Sequence, residues 1–564
     1  MSDNYVSRDG SFFMKPQVFI SKLVFNDGTE MTLKPSDIVI FTGANNVGKS
    51  QVLRDIDNRM TKDNYNTIVL KTLHFTHTGN IKELEETFKK DEGGYNLSGF
   101  EFCDFMEIAN LWDKNDRRFS YLFKNRIDTE GRLNVSNNGQ SFDALHQEPT
   151  TPIQLLYKDD TLEKKLSDLF HEAFDESLIV NRAGGDRIPL HVGIPPEFEQ
   201  GEDRVSHSYL TRLEALPELQ SQGDGMRSFV GILLEVFTTQ KTITMIDEPE
   251  AFLHPPQARL IGRMLVKNKP NDRQLFISTH SEDFLKGLLD AESDNVKIVR
   301  INREGNKNQI KVLDNDGVRM LWKDSILRYS NILSGLFHSK VVICESDTDC
   351  RFYQAILDSL YENRGKVSPD ILFTHSNGKE RLKVVVKALK TLNVKVVVVP
   401  DIDILDNEIT FKNLCVELGI GYESLKSKWK LVTEYVKQQR AQLDTDEAKK
   451  DIIVILDNIQ TPQLSKDDIE QIKRKLKASS AWAKVKEVGK AFFSGEAYVN
   501  LNELMSECKK DGLFIVPVGE LEAFYKPAAN KHGTAWIDEV MKLDMANEED
   551  LDEARKFVKE ISEF

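Results

Sequence analysis

The chain has 564 residues, of which 40% are hydrophobic, and a formal net charge of −15. This length exceeds what one hydrophobic core serves, so we expect two domains, one with an inserted subdomain. No apolar run is long enough to cross a bilayer and the start has no signal-peptide pattern, so the sequence predicts a cytoplasmic protein without a membrane partner. Its five cysteines include no CxxC pair, which argues against disulfides and zinc knuckles.

The first elements along the chain are three short strands that lead into a glycine-rich loop. Strand patterns cover residues 18–25, 30–33 and 37–41, and a helix-compatible segment covers 51–60. Between them, glycines let backbone amides face phosphates, a lysine neutralises phosphate charge, and a serine hydroxyl reaches Mg²⁺. The loop therefore predicts an ATP and Mg²⁺ site, with these nucleotide-binding residues: Gly43, Asn45, Asn46, Gly48, Lys49 and Ser50.

Strand patterns return after a long, weakly periodic stretch. Residues 63–218 are punctuated by glycine-rich turns, so we interpret them as an insertion between two ATPase halves, 1–62 and 219–305. The returning strands, at 242–246, 274–278 and 296–301, are apolar on both faces, as buried parallel strands are.

Acidic residues follow the first of these strands. Asp247 is predicted to hold the magnesium shell, and Glu248 to orient and deprotonate the attacking water. His280 follows the next strand and is predicted to contact the γ-phosphate. Two adjacent carboxylates at the end of a buried strand favour this chemistry over a simple helix start.

A second α/β sheet is predicted in 339–564, after a connector at 306–338. Its strand patterns lie at 340–344 and 394–400, and a helical, charge-rich insertion occupies about 422–490. Glu345 and Asp349 follow the first strand, and Asp401 and Asp403 follow the other. Carboxylates at one sheet edge repel each other without cations, so the pattern predicts catalytic ligands for Mg²⁺ or Mn²⁺. A pair of ions about 3.5–4 Å apart would suit phosphodiester cleavage.

The first half resembles ABC-type ATPases of the RecF and SMC-like branch, on the run from Asp247 to Pro255. This resemblance implies that two heads enclose two ATP molecules, and hence a homodimer or higher homo-oligomer. A signature segment from each head completes the other's site, and residues 221–228 are the candidate here. Gly223 and Gly225 would then contact nucleotide, with Gly223 standing where the family usually has serine.

The second half resembles the Toprim domain, in which Glu345 and Asp349 would be the first acids and Asp401 and Asp403 the later pair. Ser346 stands where that family usually has glycine. Glu520 and Glu522 resemble a later acidic, metal-binding motif seen when Toprim follows an ABC ATPase. Family members also use a basic residue near the metals. Lys526, Lys531 and Lys556 are candidates, and we choose Lys556 as catalytic.

An ABC-type ATPase head with an inserted helical or irregular region, followed by a C-terminal Toprim (Rossmann-like) domain, resembles the OLD (overcoming lysogenization defect) nucleases. Relatives include the nuclease subunit of the Gabija system and effectors encoded beside retrons. The resemblance implies nucleotide-regulated, metal-dependent cleavage or nicking of DNA in antiphage defence. It also implies a defence-system partner, either a helicase or a retron reverse transcriptase with its nucleic acid.

Two basic stretches are candidates for phosphate contacts with nucleic acid, for which DNA is the expected polymer. They comprise Lys473, Arg474, Lys475, Lys477, Lys484, Lys486 and Lys490 with Trp482, and Lys379, Arg381, Lys383, Lys387 and Lys390. Two alternatives remain open: a nucleotide-switched scaffold with a degenerate Toprim domain that holds a partner complex, and a Toprim ribonuclease.

Overall fold

The structure is a computed structural model that describes residues 4–6, 12–62, 65–88, 105–239, 241–305, 307–313, 315–323, 332–362, 365–439, 445–459, 463–477, 481–528 and 531–564. The chain divides into two compact units, Met1–Lys323 and Asp324–Phe564. Cys103 lies outside the described residues. Within them, every helix is too short or too polar to cross a membrane.

The first unit combines strands and helices from its whole length. Its strands are β1 (Asn4–Val6), β2 (Phe12–Met14), β3 (Gln17–Phe25), β4 (Glu30–Thr32), β5 (Ile38–Thr42), β6 (Leu70–Thr78), β7 (Lys124–Ile127), β8 (Gly139–Gln140), β9 (Ser177–Val180), β10 (Arg187–Ile188), β11 (Leu190–Gly193), β12 (Ile243–Asp247), β13 (Gln274–Ser278), β14 (Val296–Glu304) and β15 (Lys307–Val312). Its helices are α1 (Lys49–Thr61), α2 (Ile81–Phe88), α3 (Phe105–Asp113), α4 (Thr129–Val135), α5 (Pro152–Lys158), α6 (Asp160–Phe174), α7 (His207–Glu214), α8 (Asp224–Phe237), α9 (Pro255–Asn268), α10 (Glu282–Asp290) and α11 (Asn315–Lys323).

The central sheet has the order β15-β14-β5-β13-β12-β7 and is parallel except for β15. All five residues of β5 and of β13 are buried, which explains their continuous apolar sequences. Asp247 pairs in register with Ser278, and Ser278 with Phe41. The ends of β5, β12 and β13 therefore lie side by side, so the segments after these strands meet at one sheet edge.

Two predicted boundaries of the first unit are wrong in detail. Strands β6 and β7 come from the predicted insertion 63–218. Strand β7 pairs with β12 in the central sheet, and β6 pairs with β3 in a three-stranded antiparallel sheet of order β4-β3-β6, so this interval contributes to two sheets of the unit. Strand β15, from the predicted connector 306–338, pairs antiparallel with β14 after a turn at Gly305, and helix α11 belongs to the same unit. Both β7 and β15 lie at sheet edges and carry lysine or arginine, so their sequences lack the apolar signal of a buried strand.

The second unit contains a smaller parallel sheet of order β17-β16-β18. Its strands are β16 (Lys340–Cys344), β17 (Ile371–His375) and β18 (Val396–Val399). Its helices are α12 (Asp347–Glu362), α13 (Leu382–Thr391), α14 (Glu408–Leu418), α15 (Tyr422–Gln438), α16 (Thr445–Asp457), α17 (Lys466–Lys477), α18 (Ala481–Val488), α19 (Gly495–Lys510), α20 (Thr534–Val540) and α21 (Asp552–Glu563). Helices α15 to α18 occupy the predicted helical segment about 422–490.

A further extended segment runs beside β18. Phe514 N donates to Val398 O at 2.8 Å, and Val516 N donates to Pro400 O at 3.0 Å. The Val398–Leu513 bridge is parallel. This segment therefore ends at the same sheet edge as β16 and β18, and it brings the acidic residues after Gly519 to that edge.

Candidate nucleotide and metal sites

The loop between β5 and α1 has a backbone that requires glycine. Gly43 has φ 145°, and a Cβ there would lie 2.2 Å from Ile301 O. Gly48 has φ 106°, in the left-handed region that favours glycine. Asn45 and Asn46 are exposed at the turn. Lys49 is buried, and its Nζ donates to Gly43 O at 2.8 Å and to Ala44 O at 2.9 Å. An ammonium and a helix start thus meet at one loop, an arrangement suited to an anion.

Asp247 lies at the end of β12, next to two hydroxyl groups. Ser50 Oγ donates to Asp247 Oδ1 at 2.8 Å, and the Ser278 hydroxyl donates to the same oxygen. Hydroxyl and carboxylate oxygens are the ligands that Mg²⁺ prefers. Ser278 was not among the predicted site residues, although its place at the end of β13 was a usable signal.

His280 connects the two glutamates that follow β12. Its Nδ1 lies 3.2 Å from Glu248 Oε1 and 3.3 Å from Glu250 Oε1. Glu250 is 7% exposed and accepts hydrogen bonds from Thr279 Oγ1 and His280 N, both at 2.9 Å. Burial raises the pKa of the Glu250 carboxyl. His280 thus lies between the buried Glu250 and the more exposed Glu248. The structure brings Glu248 and His280, both predicted site residues, together at the sheet edge.

The candidate signature segment begins helix α8. Gly223 precedes the helix and is exposed, and a Cβ at Gly225 would lie 2.9 Å from Phe252 O. The start of α8 therefore lies against the segment after the β12 acids, on the same chain.

Asn308 is a second residue that sequence reasoning missed. It lies on β15, and its Nδ2 donates to Val47 O at 2.5 Å inside the phosphate-type loop. The residue was overlooked because its segment was assigned to the connector. It contacts the loop from the edge strand β15, which is separated from β5 by β14.

Three carboxylates meet at the carboxyl end of the second sheet. One oxygen each from Glu345, Asp401 and Asp403 can be chosen such that all lie within 4.8 Å of one another. Asp401 N donates to Glu345 Oε1 at 3.0 Å, while Asp403 lies in the short 3-10 helix Ile402–Asp406. Asp349 accepts a hydrogen bond from Ser346 N at 2.9 Å at the start of α12. The four acids predicted from the two strand ends are thus placed at one edge.

The pKa values of these carboxyls are shifted by their crowding. Burial, followed by the charge of Asp403, raises the pKa of Glu345 to about 7. Burial and the charge of Glu345 raise the pKa of Asp401 well above its usual range. Burial also raises the pKa of Asp349, with a smaller contribution from Glu522. Without a cation, this edge does not carry its full negative charge at neutral pH.

A second cluster consists of Glu520, Glu522 and His532, whose ligand atoms also lie within 4.8 Å of one another. Gly533 N donates to Glu522 Oε1 at 3.0 Å, and His532 Nδ1 lies 3.6 Å from that oxygen. His532 was not predicted. Its position depends on a turn at Gly533, which has φ 57°, and the sequence pattern did not reveal it.

Two lysines lie among the carboxylates, and they are not the predicted one. Lys486 Nζ lies 3.0 Å from Asp401 Oδ2 and 3.3 Å from Glu520 Oε2. Burial opposes its charge, but Asp401 and Asp403 outweigh burial and raise the pKa of Lys486. Lys379 Nζ lies 2.9 Å from Asp403 Oδ2. Both lysines were assigned to a nucleic-acid face.

The predicted catalytic lysine, Lys556, is exposed on the C-terminal helix α21. Its neighbours there include Lys490. The other two candidate lysines have different surroundings. Lys531 Nζ pairs with Glu539 Oε2 at 2.8 Å, and Lys526 is exposed. Helix α18 thus brings the ammonium of Lys486 to the acids, and the choice of Lys556 as the catalytic lysine stays a prediction that these contacts do not support.

Helix α13 carries a lysine stripe, which we define as Lys383, Lys387 and Lys390. The three residues are exposed and have helical spacing, whereas Leu382, Val386 and Leu389 on the opposite side are buried. No ion pair to an acid occurs for the stripe within the described part of the chain. In the other basic stretch, the side chains of Arg474, Lys475 and Lys477 lie outside the described residues.

The glycine-constrained loop, the buried lysine and the acidic end of β12 are the features of a P-loop ATPase domain, and a family match supports an AAA domain. Residues 110–285 match a protein-family model described as "AAA domain, putative AbiEii toxin, Type IV TA system". The match includes Asp247, Glu248 and His280 and begins after the phosphate loop.

Among curated proteins, the chain is similar to the Old nuclease of Escherichia phage P2. The two are 22% identical over 302 residues, which is 52% of this chain and 45% of the relative. The chain thus spans about half the length of the curated relative it matches. Together with the ATPase family match, this confirms the resemblance to the OLD family that the motifs predict.

Similar solved structures include heads of SMC and ABC proteins. An Smc head domain from Pyrococcus furiosus is 12% identical, with a TM-score of 0.34, over 55% of this chain and 99% of that chain. The SMC head domain from Thermotoga maritima is 12% identical, with a TM-score of 0.28, over 53% and 100%. At these scores, the assignment of the first unit depends on its own residues and the family match.

Proposed function

We propose that the chain is an ATP-regulated nuclease, in which the first unit binds and hydrolyses ATP and the second cleaves or nicks DNA with divalent cations. The observation that carries the proposal is the convergence of carboxylates at one edge of a parallel sheet. These are Glu345, Asp349, Asp401, Asp403, Glu520 and Glu522. We further propose that this unit, numbered 339–564, is a Toprim domain, since its acids follow two neighbouring parallel strands.

The donor set suits Mg²⁺ or Mn²⁺. Asp403 Oδ1 is buried and has no hydrogen-bond partner among the described residues, so one acceptor of the cluster is unused. Glu345, Asp401 and Asp403 would hold one cation, and Glu520 and Glu522 with His532 a second, near Asp349. Bound cations would supply charge stabilisation for the attacking and departing oxygens of a phosphodiester. Lys486 would add a fixed positive charge toward the phosphate, the role first assigned to Lys556.

In the first unit, each predicted residue has a role consistent with its position. The loop residues from Gly43 to Lys49 would bind the phosphates of ATP, with Asn45 and Asn46 at the exposed turn. Ser50 and Asp247 would hold Mg²⁺, and Glu248 would accept the proton of the attacking water, with His280 fixing its carboxylate. Gly223 and Gly225 would contact nucleotide from a second copy in a homodimer.

The lysine stripe supports nucleic acid as the substrate. Its three lysines are exposed and have no acidic partner among the described residues, and they come after Lys379, which contacts the acid Asp403. A polyanion is the ligand that such a stripe favours. The likeness to the Old nuclease of phage P2 supports nuclease activity. We propose in addition that the polymer is DNA and that the chain acts in antiphage defence, beside a helicase or a retron reverse transcriptase.

Cleavage of supercoiled plasmid with Mg²⁺ or Mn²⁺, with and without ATP, tests the proposal. We expect Glu345→Ala and Asp401→Ala to abolish cleavage. The matched control is Asp347→Ala, because Asp347 lies in the same segment but is exposed and pairs with Arg351 at 2.7 Å. Unchanged cleavage by both site variants would contradict the proposal. An RNA substrate in parallel separates a deoxyribonuclease from a ribonuclease.

One observation favours a second candidate, a nucleotide-switched scaffold with a degenerate Toprim domain. Lys486 already pairs with Asp401 and Glu520, so part of the acidic charge is balanced without a cation. Titration of the wild-type chain with Mn²⁺ in a calorimeter distinguishes the two candidates. Binding that is lost in Asp401→Ala supports the nuclease, and no binding to the wild-type chain supports the scaffold.

A further inference from the structure

Arg132, on helix α4, is fully buried and contacts the acidic turn of the ATPase site. Its Nη1 donates to Asp247 O at 2.8 Å, and its Nη2 donates to Glu248 O at 3.1 Å. Burial lowers the pKa of the guanidinium, against the opposing charges of Glu250 and Asp247. A buried charge is costly to a fold, and the Nε of Arg132 has no hydrogen-bond partner in the described part of the chain. Packing alone gives no reason for an arginine at this position.

The backbone that Arg132 contacts is strained. Glu248 has φ 49°, a left-handed conformation that costs about 1 kcal/mol or more for a residue with a side chain. Glu248 N donates to Ser278 O at 3.0 Å, so strand β13 holds one side of this residue and Arg132 holds its carbonyl. Together they fix the direction of the Glu248 side chain, whose Oε1 lies 3.2 Å from His280 Nδ1.

The backbone of Arg132 is also tied to helix α8. A Cβ at Gly231 would lie 2.3 Å from Arg132 O, so glycine allows α4 and α8 to approach closely. At its start, α8 meets the segment after the acids through Gly225, where a Cβ would lie 2.9 Å from Phe252 O. Arg132 therefore contacts both α8, through Gly231, and the Glu248 turn, in addition to the contact between the start of α8 and Phe252.

We propose that Arg132 is a positioning residue for ATP hydrolysis. Its guanidinium holds the Asp247–Glu248 turn in the left-handed conformation that directs the Glu248 carboxylate, and its backbone ties that turn to helix α8. The inference rests on the proposed role of Glu248 as the base. It predicts that Arg132 affects the rate of hydrolysis much more than nucleotide binding.

The test compares Arg132→Met and Arg132→Lys in the full chain, with Arg182→Met as the matched control. Arg182 is also mostly buried and donates to two backbone carbonyls, Tyr157 O at 3.2 Å and Leu156 O at 3.3 Å, but in another part of the unit. Steady-state ATP hydrolysis gives kcat and KM, fluorescent-ATP titration gives Kd, and thermal unfolding gives Tm. We expect Arg132→Met to lower kcat about 10- to 100-fold with KM and Kd within about twofold. Arg132→Lys restores part of kcat, since an ammonium reaches one carbonyl.

Unchanged kcat in both Arg132 variants overturns the proposal. If Arg132→Met lowers kcat and Tm and raises Kd together, Arg132 acts in folding alone, and this result also overturns the proposal. If Arg132→Met does not fold, Arg132→Lys tests the proposal instead: a lower kcat with unchanged KM supports it, and an unchanged kcat overturns it. If the wild-type chain itself hydrolyses no ATP, the proposed ATPase activity is wrong, and the positioning role of Arg132 is wrong with it.

Discussion

The two acidic sites of this chain manage charge in opposite ways. In the first unit, Asp247 and Glu250 accept hydrogen bonds from hydroxyls and backbone, and the lysine of the loop contacts carbonyls. In the second unit, carboxylates face carboxylates, and their burial and proximity raise the pKa of Glu345 to about 7. The first site is thus arranged for an anion that brings its own metal. The second has more carboxylates than Lys486 and Lys379 pair with, so added cations would stabilise the charged forms of the others.

The comparison implies that the two sites fail separately. Asp247 and Glu250 of the first site accept hydrogen bonds from hydroxyl and backbone donors, and the buried Arg132 is a cation close to both. We therefore expect removal of the Glu248 charge to change chemistry more than local electrostatics. Acids of the second site depend on one another and on Lys486, so removal of one charge there changes the protonation of its neighbours. Four experiments test this difference.

The largest expected effect is on ATP hydrolysis in Glu248→Gln. An amide cannot accept the proton of the attacking water, so we expect a loss of about 100- to 1,000-fold in kcat with Mn²⁺ binding at the second unit unchanged. Glu292→Gln is the matched control, because Glu292 has the same φ of 49° but is exposed after α10. Phosphate release and calorimetry measure the two quantities. Loss of Mn²⁺ binding at the second unit in Glu248→Gln would contradict the claim that the two sites act independently.

The next effect is on nucleic-acid cleavage in Lys486→Met. Removal of the ammonium beside Asp401 and Glu520 takes away a fixed positive charge that would stabilise the phosphate, so we expect cleavage to fall about 10- to 100-fold. Lys484→Met, an exposed neighbour on the same helix, controls for helix stability and net charge. Plasmid cleavage rates at saturating Mn²⁺ give the comparison. A larger loss in Lys556→Met than in Lys486→Met would return the role to Lys556.

A third, smaller effect is the pH dependence of stability in the metal-free chain. The pKa of Glu345 is raised from its usual 4.5 to about 7 in the folded chain. The folded state therefore binds the proton more tightly, and the stability from this group is fully present below pH 4.5 and lost as the pH rises through 7. We expect the wild-type chain to lose on the order of 2 kcal/mol more than Glu345→Gln between about pH 5 and 8.

Thermal unfolding in EDTA at several pH values measures this difference. Asp347→Asn serves as the control and should match the wild-type curve, since its side chain is 56% exposed. Added Mn²⁺ should remove the difference, because a cation stabilises the carboxylate form. Parallel curves for wild type and Glu345→Gln in EDTA would show that the crowding does not affect stability.

The parts of the fold that the sequence predicted are those whose residues carry their own signal. Buried parallel strands such as β5, β13 and β16 are continuous apolar runs, and the residues directly after each strand must lie at the sheet edge. Edge strands have no such run. Strand β7 has the sequence Lys-Asn-Arg-Ile and β15 is charged, so both were placed outside the sheet.

The same reasoning explains which site residues were foreseen. Asp247, Glu345 and Asp401 lie at or just after strand ends, so their positions depend on local sequence alone. Lys486 and His532 are far along the chain from the nearest predicted strand, and they reach the acids through helix packing and a glycine turn. A Cβ at Gly519 would lie only 1.9 Å from the Lys486 carbonyl oxygen, so glycine allows the two backbones to approach closely. That contact sets the position of α18, and only the folded chain reveals it.

The smallest expected effect concerns the lysine stripe, and it tests whether the cationic side of the second site extends beyond Lys486. In an Asp401→Ala background that binds without cleaving, Lys383→Gln with Lys387→Gln should weaken binding to a DNA duplex about tenfold. The slope of log affinity against log salt should fall by roughly 0.9 for each phosphate that the variant no longer neutralises. Lys430→Gln with Lys437→Gln is the matched control, since both residues are exposed on α15 and their substitution removes the same charge. Fluorescence anisotropy from about 50 to 200 mM salt gives both quantities. Equal losses of DNA affinity in the two double variants would show that the stripe acts only through the net charge of the protein. No loss of affinity in either would show that DNA binds to another face.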